Sequence, residues 1–202
     1  MKKIFLFSLL LNLLLQGYSQ RSARTTISLD EARDIFAKDQ DAIDELTSNI
    51  GYVKDAGNKL DKFVGTWKGI YNNQTYELRL YKKVAFRFNE SDLDEVKWDR
   101  MIGWITIKDN ATGLIVYSNT SKPEKGNGLF GTYFLKGDLY VMSFVGRCYN
   151  EAGNLFISTL KSNKNKLRMS FSVNPDLQTK ECPGNIKPIL PISPQYMLLD
   201  KQ

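Results

Sequence analysis

The chain of 202 residues has a formal net charge of +6, with 28 Lys and Arg against 22 Asp and Glu. This excess is mild and the basic residues are interspersed, whereas a nucleic-acid-binding domain clusters them on one face, so the sequence predicts no nucleic-acid partner. The chain contains no His, which excludes Ser-His-Asp and Cys-His nucleophiles, His-ligated zinc and an imidazole general base. We therefore expect no enzyme, with no catalytic, cofactor-binding or metal-binding residues.

The first nineteen residues are typical of a secretory signal peptide. Lys2 and Lys3 precede an apolar run from Ile4 to Leu15, and the small residues Gly17 and Ser19 stand three and one positions before the cleavage point. The run is shorter than the roughly 20 residues of a membrane-spanning helix. Cleavage would remove both lysines and lower the charge from +6 to +4. The sequence thus predicts an exported protein, periplasmic or extracellular, with no membrane span. Since no Cys lies near the cleavage point, it predicts no lipid anchor.

Residues 20–59 are predicted to form a helical lead-in, with the helix between Thr25 and Asn49. Ser28 and Glu31 have the spacing of a capping box at its start. Apolar residues then recur at helical spacing. Such a helix either covers apolar surface of the fold or, because it precedes the sheet, binds a partner.

Leu60 to Tyr81 is the strongest local pattern, and it predicts a β-hairpin. Apolar and polar residues alternate with a period of two on both sides of Asn72-Asn73, a pair that tolerates the positive φ angles of a tight hairpin turn. Gly65 and Gly69 interrupt the first strand. A glycine at such a place predicts a sharp bend or the close approach of another backbone.

The pattern of strand, turn and strand continues and predicts a β-barrel within residues 60–174. The eight predicted strands are Gly65–Tyr71, Tyr76–Tyr81 with its continuation Val84–Phe88, Met101–Lys108, Gly113–Ser118, Leu129–Leu135, Leu139–Val145, Leu155–Leu160 and Leu167–Val173. Short connections force antiparallel neighbours, and eight such strands in sequence are typical of an up-and-down barrel. The predicted fold class is all-β, a single eight-stranded antiparallel barrel, and the alternative is an open β-meander.

Residues 175–202 contain five of the six prolines. Because proline fits neither a helix nor a central strand, we expect an extended arm packed on the barrel. An exported protein meets an oxidising compartment, where paired cysteines form disulfides. Cys148 and Cys182 are therefore predicted to form one structural disulfide, which would tie the arm to the end of the strand Leu139–Val145.

Gly65-Thr66-Trp67 follows the short irregular stretch Leu60 to Phe63 on the first predicted strand. This start resembles that of the lipocalin-like barrels. The resemblance implies that Trp67 closes one end of the barrel and packs on an Arg from the last strand, and Arg168 lies on the last predicted strand. In the alternative interpretation Trp67 is an ordinary half-buried strand residue.

A longer resemblance covers Gly51 to Gln202. It is carried by Gly51–Asp55, Asn58–Leu60, Gly65–Gly69, Asn72–Thr75, Ile102-Gly103, the turn Asp109–Gly113, Cys148 ahead of Gly153-Asn154, Cys182-Pro183 and the ending Leu198–Gln202. In these motifs the chain resembles a domain-of-unknown-function family of small exported proteins from Gram-negative bacteria. The resemblance implies export, one domain and a lipocalin-like β fold, and it brings no catalytic residue with it.

Two functions from different classes remain open. The first is a binding protein that holds a small apolar or amphipathic ligand inside the barrel. Its predicted lining is Leu78, Leu80, Ile105, Ile107, Met169 and Phe171. The second is an envelope or secreted interaction protein with a filled barrel, whose helix or arm contacts a protein partner. A hydrolase that uses two carboxylates needs no His, but Glu77 inside the second strand is expected on the outer face beside Arg79.

Overall fold

The computed structural model describes residues 24–37, 49–87, 96–120, 128–146, 151–174 and 188–202. Within these ranges the structure defines the helix α1 (Leu29–Phe36) and a turn of 3-10 helix, Asp61–Phe63. The strands are β1 (Thr25–Ser28), β2 (Ile50–Lys54), β3 (Gly65–Tyr71), β4 (Gln74–Phe86), β5 (Lys97–Asp109), β6 (Ile115–Ser118), β7 (Leu129–Leu135), β8 (Leu139–Val145), β9 (Ala152–Leu160), β10 (Asn163–Val173) and β11 (Met197–Lys201). The predicted signal peptide, residues 1–19, and both cysteines, Cys148 and Cys182, lie outside the described residues.

Eight of the strands close into an antiparallel barrel. Their order is β3, β4, β5, β7, β8, β9, β10 and β11, and β11 pairs back with β3. Each strand neighbours the barrel strand that follows it in sequence, so the predicted up-and-down barrel with an N-terminal helix is confirmed. We call the end at which β3 begins the lead-in end, and the end at which β3 finishes the arm end.

β6 and β7 share one place in the barrel. Ser118 of β6 lies opposite Thr106 of β5, and Leu129 of β7 lies opposite Gly103 on the same edge of β5. Both segments run antiparallel to β5 and pair with successive stretches of the same edge. The predicted fourth and fifth strands are therefore two parts of one barrel strand.

The eighth barrel strand comes from the predicted arm. β11 lies between β10 and β3, with Met197 opposite Met169 and Lys201 opposite Trp67. The barrel boundary at residue 174 has to be corrected, because the arm rejoins the sheet at its end. The physical reason is the position of the prolines. The last of them is Pro194, so every residue of β11 has the backbone N–H that a central strand needs.

The N-terminal segment is part strand and part helix. β1 pairs in parallel with β2, and β2 pairs in parallel with the first residues of β5. The predicted helix start at Thr25 is corrected, since Thr25–Ser28 is a strand. The capping box is confirmed: Glu31 N–H donates to Ser28 Oγ at 3.1 Å, and Ser28 N–H donates to the Glu31 carboxylate at 2.7 Å. In the described part of the chain, no helix is long and apolar enough to cross a membrane.

The first hairpin has the geometry that its sequence predicts. Asn72 and Asn73 have φ angles of 48° and 59°, as a tight turn between twisted strands requires. At Gly69 a Cβ atom would stand 2.4 Å from the carbonyl oxygen of Leu198. The predicted close approach of another backbone is therefore present, and the approaching backbone is that of β11.

Candidate functional site

The six residues predicted to line a ligand cavity all point into the barrel. They are Leu78, Leu80, Ile105, Ile107, Met169 and Phe171. Each is at most 3% exposed, and all six belong to one apolar core. The alternation of inward and outward residues predicted from the sequence is therefore correct on β4, β5 and β10.

Large aromatic rings occupy the same interior. At the lead-in end the rings of Phe63 and Phe134 lie against Tyr140, with centroid separations of 5.7 and 4.7 Å. At the arm end Phe144 and Phe171 meet edge to face at 5.4 Å. Aromatic pairs at 4.5 to 7 Å are in favourable contact, and all five side chains are at most 2% exposed. Side chains, most of them bulky, thus pack the interior that the structure describes.

The 3-10 turn closes the lead-in end of the barrel. It buries Leu60 and Phe63 completely. The indole N–H of Trp67 donates to the carbonyl oxygen of Phe63 at 2.8 Å, which satisfies the polar atom of a ring that is itself fully buried. Trp67 therefore lies at a barrel end, where the lipocalin-like resemblance placed it.

The cation on Trp67 is Lys201 and not Arg168. Lys201 Nζ is 5.1 Å from the centre of the Trp67 ring, whereas the Arg168 guanidinium lies 3.9 Å from the centre of the Tyr196 ring on the outer face. The reason is strand alternation. The two residues that flank Arg168 on β10 are fully buried in the core, so Arg168 must point outward. The predicted pair of Trp67 and Arg168 is therefore corrected.

The arm closes the opposite end. The hydroxyl of Tyr76 donates to the carbonyl oxygen of Ile189 at 2.6 Å. The N–H of Phe171 donates to Pro191, and the N–H of Ser193 donates to Phe171, both at 2.8 Å. Burial raises the pKa of Tyr76 to about 12, so its hydroxyl stays protonated and able to donate at alkaline pH as well. These bonds hold the arm across the mouth of the barrel.

Two buried carboxylates lie at the lead-in end, and the first is Asp99, which is 3% exposed. It accepts hydrogen bonds from the Tyr52 hydroxyl at 2.6 Å and from the backbone N–H groups of Asp55 and Ala85 at 3.0 and 2.9 Å. Burial, followed by the bond to Asp99, raises the pKa of Tyr52 to about 12. Asp99 thereby joins β5 to the end of β2 and to a bulge in β4.

The second buried carboxylate is Asp55, which is 4% exposed. It accepts from the backbone N–H groups of Lys59 and Leu60 at 2.8 and 3.1 Å, and it pairs with the Lys82 ammonium at 2.8 Å. Lys82 also pairs with Asp61 at 2.9 Å. Burial alone would lower the pKa of Lys82, but the hydrogen bonds to Asp55 and Asp61 and the negative charges of both carboxylates together outweigh burial and raise it.

This carboxylate network, made of Asp55, Asp99, Tyr52 and Lys82, joins segments of the chain. Both oxygens of Asp55 and both oxygens of Asp99 accept at least one hydrogen bond. Carboxylates held by backbone N–H groups and a lysine stabilise turns and bulges. The arrangement therefore fits a structural role better than a general acid or base.

A shallow, open groove of about 470 Å³ lies outside the barrel at the arm end. Tyr71, Pro194, Gln195 and Tyr196 line it. The hydroxyl of Tyr71 donates to the side-chain oxygen of Gln195 at 2.8 Å. This bond joins the end of β3 to the arm and fixes one wall of the groove.

Two exposed apolar residues and one arginine lie side by side on the outer face of the sheet, beside the groove. Arg168 faces Leu198 across the pairing of β10 with β11. In the pairing of β11 with β3, Asp200 lies opposite Lys68, and the same register places Leu198 opposite Ile70. Ile70 is 69% and Leu198 39% exposed. Ile70, Leu198 and Arg168 thus form one row across β3, β11 and β10, and the Arg168 guanidinium reaches Tyr196 in the wall of the groove.

The sequence identified the interior but neither the carboxylate network nor the groove. Asp55 is followed by Ala-Gly-Asn, a composition typical of a turn held by an Asp side chain, and this signal could have marked it. Asp99 carries no such local signal, because its partners come from β2 and β4. The groove forms only where the arm meets the end of β3.

Among the residues that the structure describes, no three Cys, Asp or Glu side chains form a group that could hold a metal ion. Comparison with protein-family models, with curated proteins and with solved structures finds no match for this chain. Its function is therefore inferred from its own geometry.

Proposed function

We propose that this chain is a non-enzymatic exported protein that binds a partner through its outer surface, with the filled barrel as a rigid scaffold. The interior carries the proposal. Trp67, the six predicted lining residues and the aromatic residues that pack around them are all at most 3% exposed, and chain segments cover both ends. An eight-stranded barrel is just wide enough either for such side chains or for one small ligand.

The competing proposal is a carrier for a small apolar ligand. Ligand sites have volumes of roughly 300 Å³ or more, and a ligand inside this barrel would have to fit beside the rings of Phe63, Tyr140 and Phe171, each at most 1% exposed. Entry from the arm end would also break the hydrogen bonds that Tyr76 and Phe171 make with the arm. Both costs favour the scaffold.

Native mass spectrometry of the protein purified from cells that export it separates the two proposals. We expect the mass of the chain with no retained small molecule. A stoichiometric non-protein mass that is released on denaturation would overturn the scaffold proposal in favour of the carrier.

An engineered cavity provides the matched control. Met142 is fully buried, and Met142→Ala should leave an apolar void at a cost of about 2–5 kcal/mol. Apolar voids of this kind stay dry and bind benzene. Benzene should shift interior methyl resonances of Met142→Ala and leave those of the wild type unchanged. Shifts of equal size in the wild type would mean that the natural interior already has room for a ligand.

The proposal includes export and the disulfide. Gly146 and Asn174 are the last described residues before the segments that carry Cys148 and Cys182, and both donate backbone hydrogen bonds to adjacent residues at the start of β9. This proximity supports a bridge. Cys148→Ser should lower the melting temperature under non-reducing conditions, and an unchanged transition would mean that the thiols are not joined. N-terminal sequencing of the exported chain should begin at Gln20.

A further inference from the structure

We propose that the outward residues Ile70, Arg168, Tyr196 and Leu198, together with Tyr71 at the rim of the adjoining groove, form a docking surface, here called the arm patch. It binds a protein segment that presents a carboxylate beside an apolar side chain. The inference rests on the proposed function, since it names the surface and the partner chemistry of a scaffold whose interior is filled. It is carried by three observations on described residues.

The first observation is exposed apolar area in one place. Ile70, Leu198 and Tyr196 are 69%, 39% and 48% exposed. Strand register places Ile70 and Leu198 side by side, and Tyr196 lies one residue before β11 and lines the groove. Contiguous exposed apolar surface on a small protein is typical of an interaction site.

The second observation is an uncompensated positive charge within this surface. Among the described residues, no carboxylate forms an ion pair with Arg168, although the neighbouring Lys166 pairs with Asp200 at 2.6 Å and Lys68 pairs with Glu77 at 2.8 Å. The Arg168 guanidinium instead lies 3.9 Å from the centre of the Tyr196 ring. Stacking fixes the plane of a guanidinium and leaves its N–H edge for a carboxylate.

The third observation is shape. The groove beside Tyr71 and Tyr196 is shallow and open, whereas small-molecule sites bury most of their ligand. Tyr and Arg are the residue types enriched in the centres of protein–protein interfaces. An apolar side chain in the groove and an Asp or Glu on Arg168 would together complete the contacts that the arm patch offers.

Peptide selection tests the proposal without a known partner. A phage library of short linear peptides is selected on the wild-type protein and counter-selected on Arg168→Glu. We expect enriched sequences with Asp or Glu next to an aromatic or aliphatic residue. The synthetic peptides should bind the wild type roughly tenfold more tightly than Arg168→Glu, as expected for the loss of one charge-assisted pair, and should shift the backbone amides of Ile70 and Leu198.

The matched control is Lys164→Glu, which makes the same change of charge at an exposed residue near the start of β10, at the lead-in end. It should bind the peptides as the wild type does, and Tyr196→Ala should weaken them. The arm-patch proposal would be overturned if the library showed no enrichment or if the enriched peptides lacked an acidic residue. It would equally be overturned if the peptides bound Arg168→Glu as tightly as the wild type, or if they shifted backbone amides elsewhere in the protein. Failure of the arm-patch proposal leaves the scaffold proposal standing as long as native mass spectrometry finds an empty barrel. A retained ligand mass, in contrast, overturns the scaffold proposal.

Discussion

The ammonium nitrogen of Lys201 lies 5.1 Å from the centre of the Trp67 ring, and the two residues face each other in the pairing of β11 with β3. The last strand of the chain therefore closes the barrel on its first strand. Gln202 N–H extends this contact by donating to the carbonyl oxygen of Thr66 at 2.9 Å. Closure depends on residues at the extreme end of the sequence.

Deletion of residues 197–202 should therefore abolish cooperative folding. It would expose the edges of β3 and β10, and unpaired edges promote aggregation. It would also remove Met197 and Leu199, which are at most 3% exposed. Circular dichroism during urea unfolding and size-exclusion chromatography measure the effect. Leu198→Ser changes an outward residue of the same strand and should keep the wild-type transition. A truncated chain that unfolds at the wild-type urea concentration would contradict closure by β11.

Lys201→Gln should destabilise the protein by about 0.5–2 kcal/mol, the range of a cation–π contact with a buried ring. Arg168→Gln should cost less, at most about 0.5–1 kcal/mol, because the ring that Arg168 covers, Tyr196, is itself 48% exposed. Urea unfolding of both variants checks the assignment of Lys201 as the partner of Trp67. A larger loss of stability for Arg168→Gln than for Lys201→Gln would contradict the assignment of Lys201 as the cation on Trp67.

The inward positions could be predicted because they depend on local alternation alone. On β4 and β10 the polar and apolar residues alternate with a period of two, so the inward side of Leu78 and Met169 follows from the neighbouring residues. The same alternation also places Arg168 outside, and only the family resemblance suggested otherwise. The order of the strands could not be predicted in this way, because it depends on contacts between residues far apart in sequence. The strand Met197–Lys201 was missed because it is only five residues long and follows a proline-rich segment.

Gly69→Ala should destabilise the barrel by about 1–3 kcal/mol, the usual cost of overpacking. A Cβ atom there would stand 2.4 Å from the carbonyl oxygen of Leu198 and 2.6 Å from a methyl of Leu199, so β11 would have to shift. Gly57→Ala is the control, because its Cβ would meet only Lys59 at 3.6 Å. Thermal unfolding of both variants measures the difference, and equal melting temperatures would show that β11 does not approach Gly69 as closely as described.

Asp99→Asn should cost about 1–3 kcal/mol, because the new amide group would direct N–H donors at hydrogen atoms from Tyr52, Asp55 or Ala85, and a buried group would lose its partner. Asp109→Asn is the matched control. Asp109 holds an exposed turn, and Asn serves equally well in such turns. Urea unfolding should therefore show a loss for Asp99→Asn alone, and equal losses would argue against a special role of the carboxylate network.

The carboxylate network shows why part of the site lies beyond sequence reasoning. Asp55 and its turn are local, but Asp99 is separated from Asp55 by 44 residues. Lys82 has the inward alternation of β4, where a charged residue contradicts an apolar interior. Its presence there is explained only by the carboxylates that the lead-in brings to the barrel mouth.

The free energy of unfolding should fall as the pH rises above about 10, and the fall should be smaller in Tyr52→Phe. The pKa of Tyr52 is about 12 in the folded protein against 10.0 for an ordinary tyrosine, so between these values the folded state holds more protons than the unfolded state and loses stability as pH rises. Lys82, whose pKa is also raised, acts in the same direction above its usual 10.5. Urea unfolding at pH 7 and pH 11 gives the free energy of unfolding that each protein loses between these pH values. Tyr52→Phe should lose less than the wild type, by about 1 kcal/mol or less, since the partly exposed phenol is screened by water.

Buried Tyr76, with a pKa of about 12, should leave both proteins with a residual loss. Identical losses would mean that the Tyr52 hydroxyl ionises as freely in the folded chain as in the unfolded one, which its 2.6 Å bond to Asp99 should prevent.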